Sequence, residues 1–220
     1  YLHMWDGVTP IEETLRALDD LVASGKVRYI GVSNFKAWQV MKALATSDAN
    51  RWCRFVAGQY QYSLTVRDIE WEFSDLFEKE GIALIPWGPL GGGFLSGKYR
   101  RDTRPESGRL ATASKNHEEQ WEKRNTQQNW GIIDAIGSIA EERGVTYSQV
   151  ALNWLRERST SVILGVRTEE QLQDNLGSLD WELYAQEMDK LDAASGMPEP
   201  YPYRIMRNAA RTGMNDRLLP

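Results

Sequence analysis

Cysteine occurs once in this chain of 220 residues, at Cys53, so no internal disulfide can form and a reducing compartment suits the protein. No histidine lies near Cys53 in sequence, and it reads as a small buried residue at a strand start rather than as a nucleophile. Histidine is almost as scarce. His3 and His117 are too few for a metal centre of the usual His/Cys kind. No apolar run approaches the roughly 18 residues that a membrane span needs, which speaks against membrane insertion. A basic excess is missing too: the formal charge is −5, which argues against nucleic acid or a membrane surface as partner. Tyr1-Leu2-His3-Met4-Trp5-Asp6 lacks the basic start and apolar core of a signal peptide and reads as chain that opens inside a strand. These shortages leave a soluble, cytoplasmic protein.

The hydrophobic pattern alternates between two periods. A helix is expected over residues 9–25, with Thr9 as cap, Pro10 in the first turn, Glu12 completing a capping box, and Gly25 as stop. Strand 27–32 follows and ends at Ser33-Asn34; a helix carrying Trp38, Val40, Met41 and Leu44 leads to strand 54–58, which ends at Gln59. Residues 69–79 have helical spacing and precede the apolar run 82–85, short and closed by Pro86, which suits a strand buried on both faces. Helices are then expected at 130–143 and 148–158, a last strand at 161–165, a capped helix opening at Thr168 with Gln171 three residues on, and a terminal helix at 184–194. Repeated βα units imply parallel strands with helical crossovers, hence a doubly wound sheet or a (β/α) barrel in a single domain spanning 1–220. Two stretches break the rhythm: a polar loop over 100–127 and an irregular tail over 197–220.

In parallel α/β folds the reactive groups gather beyond the carboxyl ends of the strands. Those positions hold His3, Ser33, Asn34, Gln59, Trp87 and Arg167. Singly, each has a plain structural use, as helix cap, rim packing or solvated cation. Together they suit a flat ring bearing an amide: an indole to stack on it, small polar side chains for the carboxamide, and an imidazole to polarise a carbonyl beside it. After Trp87 comes a glycine turn, Gly88, Gly91, Gly92, Gly93 and Gly97, closed by Lys98. Glycines there let backbone approach an anion, and they would equally serve a surface turn. The helix start at Thr168 and the guanidinium of Arg167 suit phosphates.

Five pieces in order, Gly31-Val32-Ser33-Asn34-Phe35, Gln59-Tyr60-Gln61-Tyr62-Ser63, Trp87-Gly88-Pro89-Leu90, Ser96-Gly97-Lys98-Tyr99 and the run 164–177, carry a family resemblance over nearly the whole chain. The chain resembles the aldo-keto reductases, most closely the branch that includes the β subunits of voltage-gated potassium channels and related bacterial oxidoreductases. The resemblance implies a (β/α)8 TIM barrel binding NADP(H) in an extended pose, a small-molecule carbonyl substrate, and reduction of aldehydes or ketones by hydride transfer. It assigns Ser33, Asn34 and Gln59 to the carboxamide, Trp87 to the ring, and Gly88, Leu90, Gly92 and Lys98 to the pyrophosphate, with Pro89 also at the cofactor. Arg109, Gly165, Arg167, Gln171, Asp174 and Asn175 would surround the adenosine end, Arg167 meeting the phosphate that separates NADP from NAD. His3 matches the family's catalytic histidine. The alternative is a cofactor-binding regulatory or channel-associated subunit with little turnover; the channel subunits have lost that histidine, which favours the enzyme.

One departure is large. The family's aspartate, proton-donating tyrosine and lysine lie on strands upstream of the histidine strand, and this sequence does not contain them. It offers about five strands where a barrel needs about eight. The expectation is an incomplete barrel, either the C-terminal part of a longer protein or a truncated relative that closes its sheet in another way. Its open edges call for the missing segment or for a second copy of the chain.

Overall fold

The computed structural model describes residues 1–101, 103–112, 118 and 120–206. His117 and the end of the tail, 207–220, lie outside them. Along the chain come α1 (Ile11–Ala23), β1 (Ile30–Ser33), α2 (Ala37–Asn50), β2 (Phe55–Gln61), α3 (Phe73–Glu80) and β3 (Ala83–Trp87). Then follow α4 (Arg109–Thr112), α5 (Trp121–Arg124), α6 (Gln127–Arg143), α7 (Tyr147–Arg156), α8 (Glu169–Leu176) and α9 (Ala185–Ser195). The three strands form one parallel sheet in the order β1-β2-β3. This is the βα alternation that the periodicity implied.

About five strands were expected; among the described residues three are regular. The outer two survive as edge segments. Leu2 bridges to Val32 in parallel, its N–H donating to the Gly31 carbonyl at 2.9 Å and its carbonyl accepting from Ser33 N at 2.8 Å. On the far edge Thr160 N donates to the Leu84 carbonyl and Ile163 N to the Pro86 carbonyl, each at 3.0 Å. Among the described residues each segment has a backbone partner on one side only, too little to hold a regular ladder.

Burial alternates along β2 and β3. Gly58 and Tyr60 face the helices, and a Cβ on Gly58 would lie 2.3 Å from the Phe77 ring, so α3 can approach the sheet closely only over a glycine. Ala57, Gln59, Gln61, Ala83, Ile85 and Trp87, on the opposite face, are half-buried. The run 82–85 is therefore buried on one face rather than on both, because helices cover one side of the sheet among the described residues. The Tyr60 hydroxyl donates to the Phe35 carbonyl and accepts from Phe35 N, tying the turn after β1 to the next strand. Beyond β2, Tyr62 is buried against Trp154 of α7, and its hydroxyl donates to Glu70 at 2.6 Å. Arg67 grips Glu70 and Asp192, and Asp192 also accepts from Arg158 and from Trp154 Nε1. A mostly buried ionic web thus fixes α7 and α9 directly behind the end of β2.

Local signals resolve differently at two helix starts. The expected Thr9–Glu12 box does not form: the Thr9 hydroxyl is spent on Asp6, and the helix begins one residue later with Pro10 as its cap. At α8, Thr168 accepts from Gln171 N as its sequence predicts, while the Gln171 carboxamide reaches back to Arg167 N at 2.9 Å. The span 69–79 divides into a 3-10 turn, Asp68–Trp71, and α3. Within 100–127 the described residues include α4 and α5, with Leu110 and Trp121 buried.

Candidate active site

Parallel strands that run the same way deliver their carboxyl ends to one mouth. Ser33 lies opposite Gln59, Gln59 opposite Ile85, and Gln61 opposite Trp87. Side chains make the convergence tighter than register alone. The Ser33 hydroxyl donates to the Gln59 carbonyl at 2.6 Å, and Asn34 Nδ2 donates both to the His3 carbonyl at 2.9 Å and to Ser33 Oγ at 3.0 Å. Asn34 adopts φ +54, a left-handed conformation that asparagine tolerates better than most residues and that turns its amide back toward His3. His3, Ser33, Asn34 and Gln59, read separately from the sequence, are thus one connected group.

Hydrogen-bond accounting shows what the group can still offer. Both Asn34 amide hydrogens are used, so the side chain has only its oxygen left to present. The Ser33 hydroxyl has spent its proton and can only accept. The Gln59 carboxamide has no partner among the described residues and can still donate. An acceptor at Asn34 and a donor at Gln59, on adjoining strands, match the two ends of a primary amide.

The glycine turn follows Trp87. Gly88, Gly91, Gly92, Gly93 and Gly97 have φ of +68, +56, +70, +88 and +73, a left-handed series that side-chain-bearing residues would not sustain. Phe94 and Leu95 anchor it from below, Phe94 against Trp130 at 4.8 Å between centroids, with Tyr99 and Trp121 around it. Pro89 is buried, and the Leu90 carbonyl accepts from Gly93 N and Leu95 N. Lys98 folds over this turn: its Nζ would lie 2.8 Å from a Cβ on Gly93, and it sits 5.1 Å from the Tyr99 ring centre. Burial lowers the Lys98 pKa below the usual lysine value, and the nearby Arg167 guanidinium lowers it further. Two cations far apart in sequence thus lie within each other's field, and neither forms an ion pair among the described residues. Gly108 abuts Tyr99 and Lys98, so the chain just before Arg109 lies against the same turn.

The remaining expected residues are less open. Gly165 and Gln171 are exposed, but the Gln171 oxygen is already engaged by Arg167 N. Asp174 accepts from Gln149 through both its carboxylate and its carbonyl, and Asn175 is buried on α8 with its carbonyl bound by Ser178. Cys53 is half-buried, and burial followed by the charge of Asp19 pushes its thiol pKa up, away from nucleophile behaviour. A cavity of about 570 Å³ bordered by Tyr62, Glu70, Phe77, Leu84 and Thr160 lies on the helix-covered face, away from this mouth.

Two residues here were not among those expected. Gln61 shares its face with Gln59, a relation that the two-residue period of a strand could have revealed. Tyr147 presses on Gly97 and Gly137, a contact with no local signal in the sequence.

The fold and the mouth define a parallel α/β protein whose polar groups converge beyond the strand ends, beside a cationic glycine turn. The profile of the Aldo/keto reductase family matches residues 1–195, and the chain belongs to that family. It is 34% identical over 192 residues to an aldo-keto reductase of Alternaria alternata, AMT2, covering 87% of this chain and 50% of that protein. It is 30% identical over 223 residues to a norsolorinic acid reductase of Aspergillus flavus, covering 99% and 54%, and 31% identical over 207 residues to a versiconal hemiacetal acetate reductase of Aspergillus parasiticus, covering 91% and 56%. The chain spans about half the length of these relatives. No helix among the described residues is long and apolar enough to cross a membrane.

Proposed function

We propose that this chain forms the cofactor-holding wall of an NADPH-dependent reductase of aldehydes or ketones, built on the later strands of a (β/α)8 barrel. The observation that carries the reading is a pair of cations, Lys98 and Arg167, unpaired among the described residues and each within the other's field, with Lys98 on a left-handed glycine turn that leaves the strand next to that of Gln59. An anionic tail on an amide-bearing ring fits both halves of that arrangement. The fungal relatives' reductase names support carbonyl reduction as the reaction class.

When bound, NADPH supplies a hydride for a carbonyl carbon. The chain's own residues do the placing. Asn34 would accept from the carboxamide nitrogen and Gln59 would donate to its oxygen, while Trp87 would offer a flat apolar face to the ring. Lys98, Arg167 and Arg109 neutralise phosphates over the glycine turn, with the fork of Arg167 suited to the additional 2′-phosphate. His3, held through its backbone by Asn34, would offer an imidazole N–H to the substrate oxygen and so polarise the carbonyl.

Tryptophan fluorescence tests this directly, since the chain has nine tryptophans. Saturable quenching by NADPH, tighter than by NADH, is expected, and Arg167→Met should remove that preference, by about tenfold for one charge-assisted contact. Absence of saturable quenching by NADPH refutes the assignment.

A further inference from the structure

Gln61 is the last residue of β2, two positions beyond Gln59 and on the same face, so its side chain points into the mouth and not toward the helices. Its register partner is Trp87, the residue from which the glycine turn departs. Its Nε2 is buried and has no hydrogen-bond partner among the described residues. Buried amide donators without an acceptor are scarce, because they forfeit their bonds to water and gain nothing in return. The side chain cannot escape by rotating its backbone, since Tyr62 is held by Glu70 and Trp154, and Tyr62 N is bonded to the Trp87 carbonyl at 3.3 Å.

From these positions we infer that Gln61 is a further ligand-contacting residue, whose amide donates to an oxygen of the ribose-phosphate portion adjoining the nicotinamide ring; the inference rests on the cofactor reading above. Placement selects that portion. Gln59, opposite Ile85, serves the carboxamide; Gln61 lies one pleat repeat, about 7 Å, further toward the carboxyl end. That puts it between the carboxamide group and the phosphate turn starting at Gly88. Oxygen acceptors are what the intervening sugar and first phosphate present.

The test uses the protein with Gln61→Met, which keeps the size and removes the donor, and Gln61→Glu, which sets a negative charge against phosphate. Binding of NADPH, reduced nicotinamide mononucleotide and adenosine 2′,5′-bisphosphate is measured for each by fluorescence. Gln61→Met is expected to weaken the first two by about tenfold and to leave the bisphosphate unchanged, with Gln61→Glu weaker still. Variants that bind NADPH and the mononucleotide like the parent overturn the inference. So does an equal loss of all three ligands, which would make Gln61 a packing residue. A parent protein that binds none of the three refutes the cofactor reading, and this inference with it.

Discussion

Gly97→Ala separates two costs that usually arrive together. Gly97 has φ +73, and an alanine there carries about 1–2 kcal/mol of left-handed strain. Its Cβ would also lie 2.8 Å from Cδ1 of Tyr147, near the root of the ring, where the side chain has little freedom. The ring has little room to swing toward α6, because its hydroxyl already occupies the space that a Cβ on Gly137 would take, 2.3 Å away, and so rests over that glycine's backbone. Overpacking of this kind adds about 1–3 kcal/mol. Gly144 supplies the control: it has φ +67 and nothing within 4 Å, so Gly144→Ala bears the strain alone. In urea unfolding followed by tryptophan fluorescence, Gly97→Ala should cost about 1–3 kcal/mol more than Gly144→Ala. Adding Tyr147→Ala should cancel most of that difference as a coupling energy. Because Lys98 follows Gly97 directly, Gly97→Ala should also weaken NADPH binding about tenfold, while Gly144→Ala leaves it intact. Equal stability and equal affinity in the two variants, with no coupling to Tyr147, would show that the clamp does not position Lys98.

Three further outcomes follow from charge. Lys98 titrates below the usual lysine value, chiefly through burial and then through Arg167. A bound phosphate favours its protonated form, so NADPH affinity should hold near neutral pH and decline as pH rises through the lowered pKa; Lys98→Met should bind more weakly and show no such decline. For folding the sign is the reverse of a stabilising pair: the unfolded chain binds this proton more tightly, so stability without ligand gains from Lys98 as pH rises through the same window. Glu187 is held below the usual carboxylate value, first by its hydrogen bond from Arg143. Its contribution is full above the unfolded value and is lost as pH falls through the folded one, so Glu187→Gln should raise the midpoint of acid unfolding, read by circular dichroism.

Much of the fold is legible in the sequence because its signals are local. The strand ends at Ser33 and Trp87 follow apolar runs closed by polar or glycine residues, and α8 starts where Thr168 and Gln171 place it. Local signals fail where a second partner competes. Asp6 takes the Thr9 hydroxyl and moves the start of α1 to Pro10 as cap. The segment from Asp68 does not continue as one helix with α3: Glu70, on its 3-10 turn, bonds to Arg67 and Tyr62. Residues 100–127 look like an open polar loop, yet Trp121 is buried beside Phe94, Tyr99 and Trp130. That aromatic cluster joins positions with no periodic relation, and sequence pattern cannot announce it.

The candidate site divides along the same line. Residue types at the strand ends name the participants, but the allocation of hydrogen bonds depends on register and on backbone conformation. Asn34 could have presented its amide nitrogen to a ligand; with φ +54 it spends both hydrogens on His3 and Ser33 and keeps only its oxygen. That allocation binds the histidine segment to β1 through a side chain as well as through Leu2, so on the proposed reading the position of His3 and the recognition of a carboxamide would both depend on one left-handed residue. A mouth assembled this way cannot lose Asn34's conformation without disturbing both, which makes the turn after β1, and not any single strand end, the hinge of the site's geometry.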